Sequence, residues 1–421
     1  GNNKTPPTPF ARRVAFLAGQ LREAKARKTR APFWEAPPFG LRCDLCGKRV
    51  AAEIWHSPEG EEKRLCPVCW TRYEAGRGGG QFNSRFKEWV EHKGLTIAAQ
   101  RPVDLDHLVQ SARGHQYLAF VYADGNDIGG LLQRVSDEKE LRGLSEILRG
   151  AAEEALFEAL GTVCRQALGD TDYWPFEIVH IGGDDVTLLI QAGYAWEVAV
   201  EFLERFEQKV NQGLRNRLGR LARWKITASA GIAVADSRYP IRYLENLAAD
   251  VLKKAKRRAK EDPHTPCSAV NFLWLPNPIA AESADPLLAY YELRKDVALT
   301  TRPYTLEQAR SLVALTEQAT KMPRSLRHRW AEALEKGLFV SLNTVYYDIA
   351  RRKAEERSVF QDFLQALGTL TSVQGVEEPP APLWKHNASA GKWRTALLDV
   401  LELAELRATR PDVEEAPEEV A

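Results

Sequence analysis

The chain has 421 residues, of which 44% are hydrophobic and 27% charged, and a formal net charge of +1. This length suggests two or three domains, and the composition excludes a wholly disordered chain. No run of about 18 apolar residues is present to cross a bilayer, no secretory leader pattern opens the chain, and the near-neutral charge gives no whole-chain signal for nucleic acid. Six cysteines are too few for a secreted disulfide framework, so the expected compartment is reducing and cytoplasmic.

Residues 1–40 read as a basic helical arm. Phe10, Val14, Leu17 and Leu21 have helical spacing among Arg12, Arg13, Arg22, Lys25, Arg27 and Lys28. Such an arm is either a solvated helix docked on its neighbour or a surface for nucleic acid or a partner subunit. The proline-rich stretch 31–38 ends it. Residues 41–105 hold two C-x-x-C pairs, Cys43/Cys46 and Cys66/Cys69, then a Gly-rich link and an amphipathic stretch from Phe82 to His92. Two such knuckles meeting form a closed tetrahedral S4 cage suited to structural Zn²⁺. The alternatives are redox pairs or reduced core cysteines. Neither pair sits beside a βαβ pattern, as a redox pair would, and this small segment needs a staple.

Residues 106–275 alternate strand and helix. The order β-α-β-β-α-β-α-β suits an α+β fold, drawn as a sandwich with helices on one sheet face. Its strands are Tyr117–Ala123, Phe176–Ile181, Val186–Ile190, Lys225–Ala235 and Ala269–Trp274. Residues 276–410 read as a helical domain, with one helical stretch from Trp330 to Leu342 and a proline-rich loop at 379–382. Residues 411–421 form an acidic tail.

Two acidic motifs stand out. A strand runs into Asp124-Gly125-Asn126-Asp127-Ile128, and a tight hairpin carries Gly182-Gly183-Asp184-Asp185. Central strands of one sheet could bring Asp124 beside Asp184 and Asp185. Carboxylates that close repel one another, and a hard divalent cation resolves the conflict. Glycines admit a polyphosphate to the backbone, and a helix starting near Ile128 offers its N-terminus to anionic oxygens. The same residues are also ordinary turn formers. A third element is the basic helix 250–261, from which Lys253 or Lys256 could reach a phosphate.

Together, residues 106–275 resemble the palm domain of GGDEF nucleotide cyclases. More closely, they resemble the catalytic second palm of the large subunit of type III CRISPR effector complexes. The likeness rests on Asp124–Gly129, on Gly182-Gly183-Asp184-Asp185, on Ser229–Ala233, on Leu247 through Lys256, and on the cysteine pairs upstream. It implies a ferredoxin-like palm with an N-terminal zinc module and a C-terminal helical domain. In this short form no HD nuclease or first palm is expected before Cys43. The resemblance further implies a nucleotidyltransferase that joins ATP into 3′–5′ linked, cyclic or linear oligoadenylates with loss of pyrophosphate, in antiviral defence, when a guide complex binds target RNA. Asp124, Asp184 and Asp185 would be the catalytic ligands of Mg²⁺ or Mn²⁺. Gly125, Asn126, Asp127, Ile128, Gly182 and Gly183 would contact nucleotide, with Lys256, or Lys253 in its place, as the phosphate lysine. A second palm, from a homodimer mate or another subunit, would face this one. The other readings are a cyclic-dinucleotide synthase of the GGDEF type and a non-catalytic scaffold binding nucleotide or RNA.

Overall fold

The computed structural model describes residues 6–27, 39–56, 62–77, 81–262, 265–277, 279–292, 294–370, 383–387 and 391–413. The breaker segment 31–38, the loop around 379–382 and the acidic residues from 414 onward lie outside the described residues. The chain divides into two compact units, residues 1–89 with 132–137, and residues 90–131 with 138–421. No helix among the described residues is long and apolar enough to cross a membrane.

In the first unit, α1 (Pro9–Ala26) begins at Thr8, whose side chain accepts from the Ala11 N–H. A hairpin pairs β1 (Glu53–His56) with β2 (Glu62–Leu65). Next come α2 (Pro67–Arg77) and α3 (Gln81–His92). The buried residues of the hairpin region are Cys43, Leu65, Cys66 and Cys69, flanked by Trp55, Trp70 and Tyr73.

The second unit opens with α4 (Leu105–Val109), β3 (Tyr117–Gly125), α5 (Ile128–Leu132) and α6 (Glu138–Val163). Then follow α7 (Arg165–Asp170), β4 (Phe176–Gly182), β5 (Asp185–Gln191), α8 (Ala192–Arg217), β6 (Ala228–Asp236), α9 (Ile241–Ala259) and β7 (Ala269–Trp274). The rest is α10 (Asp285–Tyr290), β8 (Val297–Ala298), β9 (Tyr304–Thr305), α11 (Leu306–Thr320), α12 (Arg324–Glu335), α13 (Leu338–Ala350), α14 (Ala354–Leu370), β10 (Lys385–Asn387), β11 (Lys392–Arg394) and α15 (Leu397–Arg407).

The main sheet has the order β4-β5-β3-β6-β7-β9. Its first four strands are mutually antiparallel and give the ferredoxin-like βαββαβ core. β7 then adds parallel to β6. The expected placing of helices on one sheet face is corrected: both faces are covered. α9 packs with Leu118, Phe120, Ala233 and Leu273 on one side. Trp196 of α8 meets Phe272 edge-on at 5.4 Å on the other. Adjacent strand residues point to opposite faces, so Phe272 and Leu273 place the two helices on opposite sides. The cause lies in β3 and β6, which are apolar at nearly every position and cannot leave either face to water.

Two further differences concern the C-terminal half. The stretch Trp330–Leu342 is not one helix, because Gly337 takes φ 103° and separates α12 from α13. The region is also not purely helical. β9 extends the main sheet beside β7, and β8, β10 and β11 form a small second sheet.

Candidate functional site

The acidic motifs meet at one end of the main sheet. β3 is apolar along its length until Asp124, which lies opposite Ser229 of β6. β4 and β5 are joined by a two-residue turn, Gly183-Asp184, flanked by the pair Gly182 and Asp185. Only the first turn residue has positive φ, 73° at Gly183, which is the II′ pattern that suits a twisted hairpin.

That turn folds Asp184 against the end of β3. A Cβ at Gly125 would stand 2.7 Å from Asp184 Oδ2, so only glycine admits this approach. Burial pushes the Asp184 carboxyl above the usual carboxylate range, the Asp185 charge adds to this, and the Gly125 N–H donating to it opposes it. Asp185 is also raised by burial, against the pull of His180.

Asp124 is met by Lys256 of α9. The ammonium contacts Asp124 Oδ2 and donates to the Gly125 carbonyl at 3.3 Å. Both side chains are 26% exposed. Burial and nearby Lys260 lower the Lys256 pKa to about 8. Lys253 points elsewhere and pairs with Asp250 at 3.0 Å. Of the two lysines, only Lys256 reaches the acidic end of β3.

The remaining predicted residues divide between sheet and turn. The Asn126 side chain is committed to the sheet: its Nδ2 donates to Thr227 Oγ1 at 2.9 Å, and its Oδ1 accepts from Ser229 Oγ at 2.9 Å. It braces the motif. Asp127 takes φ 56°, uncommon for a residue with a side chain. Its carboxylate lies against Gly130, where a Cβ would fall 2.7 Å from Oδ1. The helix expected near Ile128 spans only five residues and already has this carboxylate on its first turn. Ile128 is buried. Two residues at this end, Tyr122 and His180, carried no motif in the sequence. Burial raises the Tyr122 phenol, and the Asp185, Glu245 and Asp184 charges add to it. His180 lies opposite Thr187, which also pairs with Tyr122. Strand alternation would have placed Tyr122 with Asp124 and His180 with Gly182 on shared faces.

Among the described residues, only the four cysteines form a group of three or more ligating side chains with all donor atoms within 4.8 Å. Asp124, Asp184 and Asp185 are not such a group. Asp184 and Asp185 repel one another, and Asp124 is engaged by Lys256. The donor chemistry suits a hard cation, since all three offer carboxylate oxygens, with Asp184 raised by burial and the Asp185 charge and Asp185 raised by burial.

The cysteine cluster is compact. Cys46 and Cys66 sulfurs lie 3.9 Å apart. N–H groups of Lys48 and Arg49 help to lower Cys46 to about 6, while burial and the other sulfurs push Cys69 up to about 12. Thiols held this close, with backbone donors aimed at them, form a set ready for a soft, tetrahedral ion.

Taken together, the antiparallel βαββαβ sheet with acidic residues at the end of its first strand and in its central hairpin defines a palm-type domain. Residues 117–264 match the family described as Cas10/Cmr2, second palm domain. Comparison with curated proteins found no match. Among solved structures, a Csm1–Csm4 cassette in complex with one ATP is 16% identical, covering 75% of this chain and 40% of that one, with a TM-score of 0.37. Csm1 of T. onnurineus is 15% identical, with the same coverages and a TM-score of 0.37. A cassette in complex with pppApA is 17% identical, with coverages of 75% and 40% and a TM-score of 0.37. The matched region thus spans about two fifths of the length of these solved chains.

Proposed function

We propose that this chain is a metal-dependent nucleotidyltransferase of the type III CRISPR large-subunit kind, joining ATP into 3′–5′ linked oligoadenylates in antiviral defence. The observation that supports it most is the meeting of Asp184 with Gly125, and of Lys256 with Asp124, within a segment of Cas10/Cmr2 palm type. In the reaction, a bond forms between the 3′-oxygen of one ATP and the α-phosphorus of another. The α–β phosphoanhydride breaks, pyrophosphate departs, and the hydroxyl proton passes to a nearby base. A bound Mg²⁺ or Mn²⁺ would supply positive charge to the attacking oxygen and the α-phosphate. Asp124, Asp184 and Asp185 are the residues to hold it. Lys256 meets the charge of the departing pyrophosphate, and the backbone around Gly125, Gly182 and Gly183 lets phosphates approach. A second palm, from a partner copy or another subunit, presents the second nucleotide. Guide and target RNA are the expected activators.

Mass spectrometry of products from ATP with Mg²⁺ or Mn²⁺, with and without RNA, tests this, with GTP and mixed nucleotides in parallel. Oligoadenylate is the expected product; cyclic dinucleotide from GTP would replace this reading with the GGDEF one. Asp184→Asn should cut product by about 100-fold or more, since even outer-shell partners cost up to that much. The same variant should raise the stability of the metal-free protein by about 1 kcal/mol, because it removes a buried, repelled charge yet keeps an acceptor for Gly125 N–H.

We also infer that Cys43, Cys46, Cys66 and Cys69 hold a structural Zn²⁺, on the strength of their four converging sulfurs. Elemental analysis of the full chain should find one zinc per molecule. Cys66→Ser should lose it and raise amide exchange across residues 41–77, since zinc binding of this kind is folding energy. A zinc-free chain with unchanged exchange in strong chelator would overturn the assignment.

A further inference from the structure

Lys256 occupies the position a cation would take on Asp124. Its ammonium touches Asp124 Oδ2 and donates to the Gly125 carbonyl at 3.3 Å. Of the other two acids, Asp184 is raised by burial and the Asp185 charge and accepts from the Gly125 N–H, and Asp185 is raised by burial against the pull of His180. Asp124 is the one that an ammonium meets directly.

We propose that Lys256 is an internal counter-ion that competes with the divalent cation for Asp124, and is freed for a triphosphate only when the cation arrives. This rests on the metal-dependent reading above. The Lys256 ammonium already spends two of its three donors on Asp124 Oδ2 and the Gly125 carbonyl, which leaves one for a phosphate while it stays there. A divalent ion arriving at Asp124 carries twice the charge and repels the ammonium at short range. The lysine then leaves the carboxylate when a metal-bound polyphosphate is there to receive it. The exchange makes cation and triphosphate binding mutually supportive, because each removes the group that opposes the other.

The test is Mn²⁺ binding to the full chain, followed by calorimetry and by electron paramagnetic resonance, without nucleotide. Three variants are compared: Lys256→Met, Asp124→Asn and Lys254→Met. Lys254 pairs with Asp285 at 2.8 Å and controls for loss of a positive charge on the same helix. Lys256→Met should bind Mn²⁺ up to about tenfold more tightly than the unaltered chain. Lys254→Met should change the affinity by less than about twofold. Thermal midpoints with and without Mn²⁺ provide a second measure. The metal-free midpoint of Lys256→Met should fall, and its gain on adding Mn²⁺ should exceed that of the unaltered chain. Should Lys256→Met bind Mn²⁺ no better, while Asp124→Asn abolishes binding, the counter-ion role is wrong and the metal site stands. Should Mn²⁺ binding be absent, or indifferent to Asp124, the metal-dependent reading itself fails.

Discussion

Asp399→Ala is expected to lower the stability of the second unit by about 3–5 kcal/mol, measured by urea unfolding. Asp399 is wholly buried, and its Oδ1 accepts from Arg302 Nε at 2.8 Å. Its Oδ2 accepts from Thr300 Oγ1 at 2.9 Å, from the Thr301 N–H at 3.1 Å and from the Tyr304 hydroxyl. Arg302 in turn donates to Glu402 at 2.7 Å and to the Phe272 carbonyl at 3.0 Å. Its guanidinium lies over Phe272 and Tyr291, 3.8 and 4.5 Å from their centroids. The set fastens α15 to β7 and the edge strand β9 of the palm sheet. Removing Asp399 strands a buried guanidinium on a single carboxylate and leaves the Thr300 and Tyr304 hydroxyls short of an acceptor. Arg302→Met with Asp399→Leu and Glu402→Gln should cost less than Asp399→Ala alone, because no charge is then left uncompensated.

The same set has a signed pH dependence. Burial raises the Glu402 pKa, with Arg302 opposing and Asp399 adding. Within the window above 4.5, the folded chain holds a proton there that the unfolded chain has released. Stability therefore falls as pH rises through that window. Glu402→Gln should flatten the fall, read as the slope of unfolding free energy against pH.

Much of this architecture was legible in the residues, for reasons that also mark where reading stops. β3 and β6 announce themselves as apolar runs, and Gly182–Asp185 as a tight turn, because these signals are local. α9 was readable from its period. Lys253 and Lys256 were not separable by pattern, since three residues on a helix face are near neighbours. Only the docking of α9 on β6 aims one of them at Asp124. The strands β8 to β11 have two or three residues each, too short for any period to show. Which of the three acids meets the ammonium depends on side-chain positions that no spacing in the chain encodes. Tyr122 and His180 were hidden because cross-strand pairing, not sequence proximity, brings them to the acidic end.

The docking of α9 can itself be tested at Gly231, where alanine should cost about 3 kcal/mol, the upper end for overpacking. Gly231 lies in β6 between β3 and β7, facing α9. A Cβ there would be 2.5 Å from Leu252 N, 2.8 Å from Leu252 Cα and closer still to the Ala248 carbonyl oxygen. All three are backbone atoms of a helix, so no side-chain rotation relieves the clash. Either the strand bends or α9 withdraws along its middle turns. Lys256 sits one turn beyond Leu252, so withdrawal carries its ammonium away from Asp124. Gly231→Ala should therefore lose stability and nucleotide product together. Gly150→Ala in α6 serves as the contrast: nothing lies within 4 Å of its Cβ position, and the helix should gain up to about 1 kcal/mol. If Gly231→Ala unfolded at the same urea concentration as the unaltered chain, α9 could not lie against β6, and the route by which Lys256 reaches the acidic end would be lost with it.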